Sequence, residues 1–308
     1  MCLRIVEDGA VGRVEQVPRV VLPAGGQLFA ERAARFDQLA AGHAIGDYLR
    51  LMARIARAQA HVVGARAAAA IDAARLEQSR QYGMPPLSAP AHARAPAWRD
   101  DLRDLVASLR AGAGGRLAGT LDALAALGEA EIEACADRVL GGTTLDVDAA
   151  FVPFVGAALQ VYFTRLAASL AAADVEHCDV ATVCPVCATR PVASVIRIGS
   201  RQNLRYLHCA LCATEWNLVR VQCTSCESDK GVHYLSLEGE TRAATDAAVK
   251  AEACDECKSY LKIMNQDKDT QVDPYADDLA TLALDVLVDE QGFARTGPNL
   301  LFHPGDGE

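Results

Sequence analysis

Apolar residues recur at intervals of three and four along the first half of the chain, from about residue 28 to residue 175. This spacing is typical of amphipathic helices that pack on one another. The proline-rich run of residues 83–96 cannot continue a helix, and Gly112–Gly115 and Gly141–Gly142 mark further breaks. We therefore predict four to six helices in a bundle-like arrangement. Two stripes have this spacing: Phe29, Ala33, Phe36, Ala40 and Leu102, Leu105, Val106, Leu109.

The longest apolar run, residues 149–163, reads AAFVPFVGAALQVYF and contains Pro153 and Gln160. It is shorter than the roughly 20 residues that cross a bilayer as a helix, so the pattern favours a buried helix. The chain begins MCLRIVEDGAVGRVEQ, without the basic start, apolar core and cleavage site of a secretory signal. We therefore expect a cytoplasmic protein with no membrane insertion.

Beyond Val180, short β-branched runs such as VASVIRI and NLRYLHC replace the helical stripes. Helical spacing returns in PYADDLATLALDVLVDEQG, where Pro274 suits the start of one terminal helix. The predicted fold is mainly α with small β: a bundle-like N-terminal domain, two tandem four-cysteine modules of the rubredoxin-like or zinc-ribbon type, and a C-terminal helix. The predicted boundaries are residues 1–178, 179–221, 222–272 and 273–308.

Nine of the eleven cysteines lie between Cys178 and Cys257, and eight of these form four CxxC pairs. A CxxC pair can turn both sulfurs toward one point, and two pairs complete a tetrahedral metal site. If residues 213–222 are extended they span roughly 33 Å, so the pairs at their two ends belong to different sites. The sequence thus predicts two sites, formed by Cys184, Cys187, Cys209, Cys212 and by Cys223, Cys226, Cys254, Cys257.

Buried free thiols and a redox centre are the alternatives to metal binding, and both fit the cysteines less well. Reduced cysteines are common in protein cores, but four regularly spaced pairs are typical of metal binding. A thioredoxin-like redox pair opens a helix within a βαβ unit, and none of the four pairs has that context. We therefore predict two metal ions, although tetrahedral four-sulfur sites suit both iron and zinc.

The CPVC pair resembles a rubredoxin knuckle with one difference. Rubredoxins place glycine after the second cysteine, where the backbone is left-handed, and this chain has other residues at all four positions. A left-handed conformation would cost about 1 kcal/mol at each of them. These positions are Ala188, Ala213, Glu227 and Lys258.

Other candidate residues suggest no catalytic apparatus. The chain has no P-loop, dinucleotide fingerprint, GxSxG or HExxH motif, so we predict no catalytic residues and no enzyme activity. Cys178 and its neighbour His177 are interpreted as a domain-junction feature. We expect His208 to face solvent on the strand face opposite Cys209, and Trp216 to pack in the core of the ribbon region.

The formal charge of −10 disfavours attachment to nucleic acid or to an anionic membrane. From Cys178 to Pro274 there are 11 basic and 13 acidic residues, and thiolate ligands would add further negative charge. A nucleic-acid-binding zinc ribbon is therefore the weakest of the alternatives. One local stretch is an exception, because residues 190–220 contain five arginines and a single acidic residue, Glu215. The arginines are Arg190, Arg197, Arg201, Arg205 and Arg220.

The run LRYLHCALCATEWNLVRVQCTSC, with CPVCATRPVAS before it and CDECKSYLKI after it, resembles the FdhE family of formate dehydrogenase accessory proteins. The length, the helical first half and the ending DPYADDLATLALDVLVDEQGF also fit this family. All eight cysteines of the family pattern are present.

This resemblance implies a cytoplasmic maturation factor rather than an enzyme that oxidises formate. Its partner would be the catalytic subunit of a respiratory formate dehydrogenase, a molybdenum or tungsten enzyme with selenocysteine and an iron–sulfur cluster, before export by the twin-arginine route. The resemblance favours iron in the two four-cysteine sites, with zinc as the alternative. An iron-based electron-transfer protein is the second interpretation.

Overall fold

The structure is a computed structural model that describes residues 17–143, 149–175, 178, 181–237 and 246–302. Seven α-helices precede the cysteine-rich region in the described part of the chain, where the sequence predicts four to six. The additional breaks lie in segments without proline, such as residues 41–45, where Gly42 has a positive φ. The helices are α1 Gln27–Ala40, α2 Gly46–Val63, α3 Ala73–Tyr82, α4 Ala97–Arg110, α5 Gly115–Ala126, α6 Glu129–Gly141 and α7 Val152–Ala168.

Helix α7 is the centre of this bundle. Every residue from Val152 to Ala167 is buried, which confirms the prediction of a buried helix. Within the described ranges, the one helix long and apolar enough to cross a membrane spans residues 149–168. In its most apolar stretch of 18 residues, 83% of the residues are buried in the fold. Both predicted stripes are also buried, on α1 and α4.

Charged side chains inside the bundle connect three of its helices. Arg165 of α7 donates two hydrogen bonds to Asp101 of α4, at 2.9 and 3.0 Å. It also donates to the carbonyls of Val62 and Val63, at the end of α2, at 3.0 Å each. The guanidinium thus adds hydrogen bonds to carbonyls at the end of α2, of which that of Val62 also accepts from the amide of Ala65.

The cysteine-rich half and one short strand near residue 20 form one continuous sheet. Its strands are β1 Val20–Val21, β2 Pro191–Ile196, β3 Arg205–Cys209, β4 Glu215–Leu218, β5 Val232–Leu235, β6 Val249–Cys254, β7 Ser259–Asn265 and β8 Ala294–Arg295. The strand order is β1-β4-β3-β2-β7-β6-β5, and β8 lies beside β7. The pairs β2–β7 and β7–β8 are parallel, and the others are antiparallel. The β2–β7 pairing joins the two modules.

The C-terminal segment forms two short helices, α8 Ala276–Ala280 and α9 Leu282–Glu290, where the sequence pattern predicts one. The break lies at Thr281, whose hydroxyl donates to the Asp277 carbonyl at 2.8 Å. The buried ammonium of Lys262 donates to the carbonyls of Asp278 and Thr281. These side chains replace the backbone hydrogen bonds that a continuous helix would make.

Candidate metal sites

Each CxxC pair forms a tight knuckle, and the residue after its second cysteine is left-handed. The φ angles there are 60° at Ala188, 58° at Ala213, 60° at Glu227 and 53° at Lys258. The amide of Ala188 donates to the Cys184 carbonyl at 2.9 Å and so closes the turn. The four non-glycine residues therefore adopt the conformation that glycine would adopt without strain.

The first site gathers the sulfurs of Cys184, Cys187, Cys209 and Cys212, all within 4.8 Å of one another. The Cys184–Cys212 and Cys187–Cys209 sulfur distances are 3.5 and 3.3 Å. Amide groups also donate to the sulfurs, as from Val186 to Cys184 at 3.4 Å, which stabilises thiolate charge. The four residues are completely buried.

The second site gathers the sulfurs of Cys223, Cys226, Cys254 and Cys257 in the same way. Sulfur distances are 3.6 Å for Cys223–Cys257 and 3.8 Å for Cys226–Cys254. The consecutive grouping of the four pairs is thus confirmed. The segment between the two inner pairs is only partly a strand, because β4 ends at Leu218 and an irregular linker of residues 219–222 follows.

Both groups of sulfurs fit a tetrahedral metal ion and exclude disulfides. Four sulfurs at about 2.3 Å from one ion lie about 3.8 Å apart, close to the distances found. A disulfide needs about 2.05 Å. Each group could hold one ion, and the chemistry of four thiolates suits iron and zinc alike.

The two sites differ in their access to solvent. The first lies against the bundle, where the connector, the proline-rich run of residues 83–96, supplies two backbone hydrogen bonds to its knuckle. Leu87 donates to Val186 and Ala89 to Cys187, at 2.8 Å each. In the second site Cys226 is exposed and Cys257 is half-buried. Among the described residues, the second site is therefore the one whose cysteines reach the surface.

Several thiols in the two sites have perturbed pKa values. Burial is the largest cause in the first site, where it raises the pKa of Cys184 and Cys209 well above the ordinary value. Burial also raises the pKa of Cys257, but hydrogen bonds from Ser259 and two neighbouring cysteines lower it to about 7. One thiol of the second site is therefore partly ionised at neutral pH and is a ready metal ligand.

An ion pair that the sequence did not predict connects the two modules. Arg205 of β3 donates to Glu252 of β6 at 2.6 Å, and both side chains are buried. The second terminal nitrogen of Arg205, Nη1, donates to three backbone carbonyls of the linker, of which that of Gln222 is the nearest at 2.9 Å. No sequence signal could reveal this pair, because its members lie in different modules and far apart in the chain.

The basic residues predicted as one patch separate in the structure. Arg197 and Arg201 both pair with Glu215, whereas Arg205 turns inward to Glu252. The prediction that His208 faces solvent is wrong: it is only 7% exposed, because α1 and the approach to α8 cover that face of β3. Burial and nearby arginines lower the pKa of His208 well below its ordinary value.

The two other described cysteines, Cys135 and Cys178, lie apart from both sites. Cys178 is buried and its thiol donates to the Met84 carbonyl at 3.1 Å, and Cys135 is buried in the bundle. Burial raises the pKa of Cys178, as expected for an unreactive thiol. Trp216 is buried, as predicted. Cys2 and His177 lie outside the described residues.

Comparison with protein families accounts for nearly the whole chain. Three family descriptions match in order: "FdhE, N-terminal" over residues 17–179, "FdhE, central domain" over residues 183–220 and "FdhE, C-terminal domain" over residues 221–302. The chain belongs to the FdhE family. The resemblance found in the cysteine motifs is thereby confirmed.

Individual FdhE proteins agree with this assignment. The chain is 38% identical to "Protein FdhE homolog" of Klebsiella pneumoniae and 37% identical to "Protein FdhE" of Salmonella typhimurium, each over 100% of both chains. The crystal structure of the FdhE protein from Pseudomonas aeruginosa is 41% identical, with a TM-score of 0.85 over 94% of this chain and 100% of that chain. Fold and sequence similarity therefore extend across the helical bundle and both cysteine modules.

Proposed function

We propose that this FdhE protein is a non-catalytic cytoplasmic maturation factor for respiratory formate dehydrogenase, and that it binds the catalytic subunit of that enzyme through its cysteine-rich region. Membership of the FdhE family supports the assignment. The observation that supports client binding through this region is the unequal burial of two otherwise similar four-cysteine sites. A client protein can contact an exposed site directly.

The two sites have different roles in this proposal. Each holds one metal ion, iron or alternatively zinc, bound by Cys184, Cys187, Cys209 and Cys212 or by Cys223, Cys226, Cys254 and Cys257. The first ion stabilises the junction between bundle and sheet, because its ligands are enclosed on all sides. The second supports client binding and, if it is iron, one-electron redox work on the client.

Charge gives a reason for the attraction between the partners. The chain has a net charge of −10, so a cationic segment of the client would be drawn to its acidic helix faces. The attraction should weaken with salt. Unchanged client recovery after charge reversal of exposed acidic residues such as Asp104 and Glu129 would contradict this part of the proposal.

Co-purification tests the client assignment. A cell that lacks its own FdhE protein is supplied with this chain, and recovery of the catalytic subunit and formate dehydrogenase activity are measured. We expect Cys226→Ser to reduce both, because it removes the exposed ligand of the second site. Cys178→Ser is the matched control, since it changes a cysteine outside both sites. Equal recovery with the two variants would argue against a role for the second site.

The alternative is an iron-based electron-transfer protein, favoured by the exposed second site. Anaerobic purification followed by metal analysis and an absorption spectrum separates the two functions. Reversible bleaching on reduction, without any client recovery, would favour electron transfer. Zinc in both sites would exclude it, because zinc has no redox chemistry in proteins.

A further inference from the structure

Each of the four knuckles has a hydroxyl residue two positions after its second cysteine. The four runs read CPVCAT, CALCAT, CTSCES and CDECKS. The residue between the second cysteine and the hydroxyl residue is left-handed in all four knuckles. A serine or threonine hydroxyl can donate a hydrogen bond to a thiolate and so hold it in place. The hydroxyl residues are Thr189, Thr214, Ser228 and Ser259.

The hydroxyl contacts the sulfur of the second cysteine in both sites. In the first site, Oγ1 of Thr214 lies 3.2 Å from Sγ of Cys212. In the second site, Oγ of Ser259 lies 3.0 Å from Sγ of Cys257. A thiolate bound to a metal ion has no proton, so the hydroxyl is then the donor in each pair. Such hydrogen bonds orient a metal-binding side chain and stabilise its charge.

The knuckle that begins at Cys223 departs from this arrangement. The hydroxyl of Ser228 donates to the Lys230 carbonyl at 3.4 Å and accepts from the Lys230 amide at 3.1 Å. The hydrogen bond between Ser228 and Cys226 is made by the backbone. In the equivalent place of the first site, the Thr189 side chain is a hydrogen-bond partner of Cys187.

Burial distinguishes Cys226 in the same direction. Cys187 and Cys212 are completely buried and Cys257 is half-buried, whereas Cys226 is exposed. Loss of one hydrogen bond to a charged group corresponds to about tenfold in an equilibrium constant. Among the second cysteines of the four pairs, Cys226 is therefore the one that leaves a metal ion most readily.

The charge near Cys226 limits what can take its place. Residues 223–230 and 254–258 contain four acidic residues and two lysines, and the balance stays negative when Arg220 of the linker is added. Like charges across a contact are unfavourable, so this surface suits an uncharged thiol better than a carboxylate or a phosphate. Sulfur is also the donor that a four-thiolate metal site prefers. The charged residues, all exposed, are Glu227, Asp229, Asp255, Glu256, Lys230 and Lys258.

We propose that Cys226 is a replaceable ligand, and that a thiol of another molecule takes its place while Cys223, Cys254 and Cys257 keep the ion. The incoming thiol loses one proton as its sulfur binds, and Cys226 gains one proton as it leaves. Charge and oxidation state are therefore unchanged by the exchange. This inference rests on the metal-bound second site of the proposed function and assigns that site a class of partner group.

The metal content of a Cys226→Gly chain tests the proposal without any client protein. The full chain is loaded with Co²⁺, and metal analysis and visible absorption report how many sites are filled. The natural chain should hold two ions and Cys226→Gly one, in its first site. Millimolar 2-mercaptoethanol should restore the second ion to Cys226→Gly, whereas ethylene glycol, its oxygen analogue, should not.

Cys254→Gly is the matched control for this rescue. Cys254 belongs to the same site but is buried, so an external thiol does not reach the vacated position. The variant should hold one ion with or without 2-mercaptoethanol. The ion that remains in the first site shows that each variant is folded.

Alkylation of the metal-loaded natural chain tests whether Cys226 leaves the ion. Iodoacetamide reacts much faster with a free thiolate than with a metal-bound one, and peptide mass spectrometry gives the rate at each cysteine. We expect Cys226 to be labelled at least about tenfold faster than Cys223, Cys254 or Cys257.

Variants of the hydroxyl residues separate the hydrogen bond from exposure. Ser259→Ala should speed the labelling of Cys257 by about tenfold, because a charge-assisted hydrogen bond is lost, and Ser259→Thr should restore the slow rate. Ser228→Ala is the control, since the Ser228 hydroxyl bonds to the backbone of Lys230. It should leave the labelling rate of Cys226 unchanged.

The outcomes distinguish this inference from the proposed function. A natural chain that holds a single ion overturns both. With two ions in the natural chain, three results overturn the replaceable ligand alone: no rescue of Cys226→Gly by the thiol, equal rescue by ethylene glycol, or labelling of Cys257 as fast as Cys226. An unchanged Cys257 rate in Ser259→Ala also contradicts it, because the hydroxyl would then not hold the sulfur.

Discussion

Arg205 and Glu252 form a buried ion pair of 2.6 Å between the two cysteine modules. Arg205 belongs to β3, which ends at Cys209 of the first site, and Glu252 belongs to β6, which ends at Cys254 of the second site. Because Arg205 also holds the linker carbonyls, the pair fixes the distance between the two sites. The pair therefore connects the modules beside an irregular linker.

Removal of Arg205 should destabilise the protein strongly. Arg205→Met leaves Glu252 buried without its charge partner, and loss of one member of a buried pair costs about 3–5 kcal/mol. The free energy of unfolding from urea titration measures the effect. The double variant Arg205→Met with Glu252→Leu should recover much of the loss, because no unpaired charge remains. Equal stability of the single and double variants would contradict this account.

The second site should release its metal before the first. A chelator reaches the exposed Cys226, whereas the ligands of the first site are enclosed between α7, the connector and the sheet. With metal in both sites, release into a coloured chelator should therefore show two phases of equal amplitude. Cys226→Ser should abolish the fast phase alone. A single phase would show that the difference in burial does not control metal loss.

Glycine at the left-handed positions should stabilise the knuckles. Glu227 has a φ of 60° and an exposed side chain, so Glu227→Gly relieves backbone strain without loss of packing. We expect a gain of up to about 1 kcal/mol in the free energy of unfolding. Lys230→Gly is the control, because that residue is exposed and its φ is not positive. It should lower stability through the greater freedom of the unfolded chain.

Stability should fall at mildly acidic pH because of His92. Burial and the charges of Arg75 and Arg94 lower the pKa of His92 to about 4, below its ordinary value of 6.5. Above pH 6.5 the ring is neutral in both the folded and the unfolded protein, so the stability is at its full value. As the pH falls toward 4 the unfolded chain binds the proton more readily than the folded protein, and this part of the stability is lost. Because the ring is only about half-buried, we expect a loss of about 1–2 kcal/mol.

Replacement of His92 checks that assignment. Urea titrations between pH 6.5 and 5 should show a smaller pH slope in His92→Gln than in the natural chain. The exposed His61 provides the comparison, and His61→Gln should leave the slope unchanged. An unaltered slope in His92→Gln would assign the acid sensitivity to other groups.

The elements of the fold follow closely from local patterns. The stripes that include Phe36 and Leu105 predict buried helix faces, because an apolar side chain every three or four residues leaves one face without water. The break in the terminal segment at Thr281 was not predicted, since it depends on Lys262, a residue from a strand of the second module. Local periodicity contains no information about such a partner.

The sequence by itself determined the helical first half, the four knuckles and the grouping of eight cysteines into two sites, because helix periodicity and the reach of ten residues are properties of a short chain segment. Only the tertiary structure decided which site is exposed, that Arg205 pairs with Glu252, and that His208 is buried. His208 lies where α1 and the segment before α8 meet the sheet, and the Arg205–Glu252 pair lies between the two modules. Their energies depend on solvent exclusion by segments far apart in the sequence, which no local pattern records.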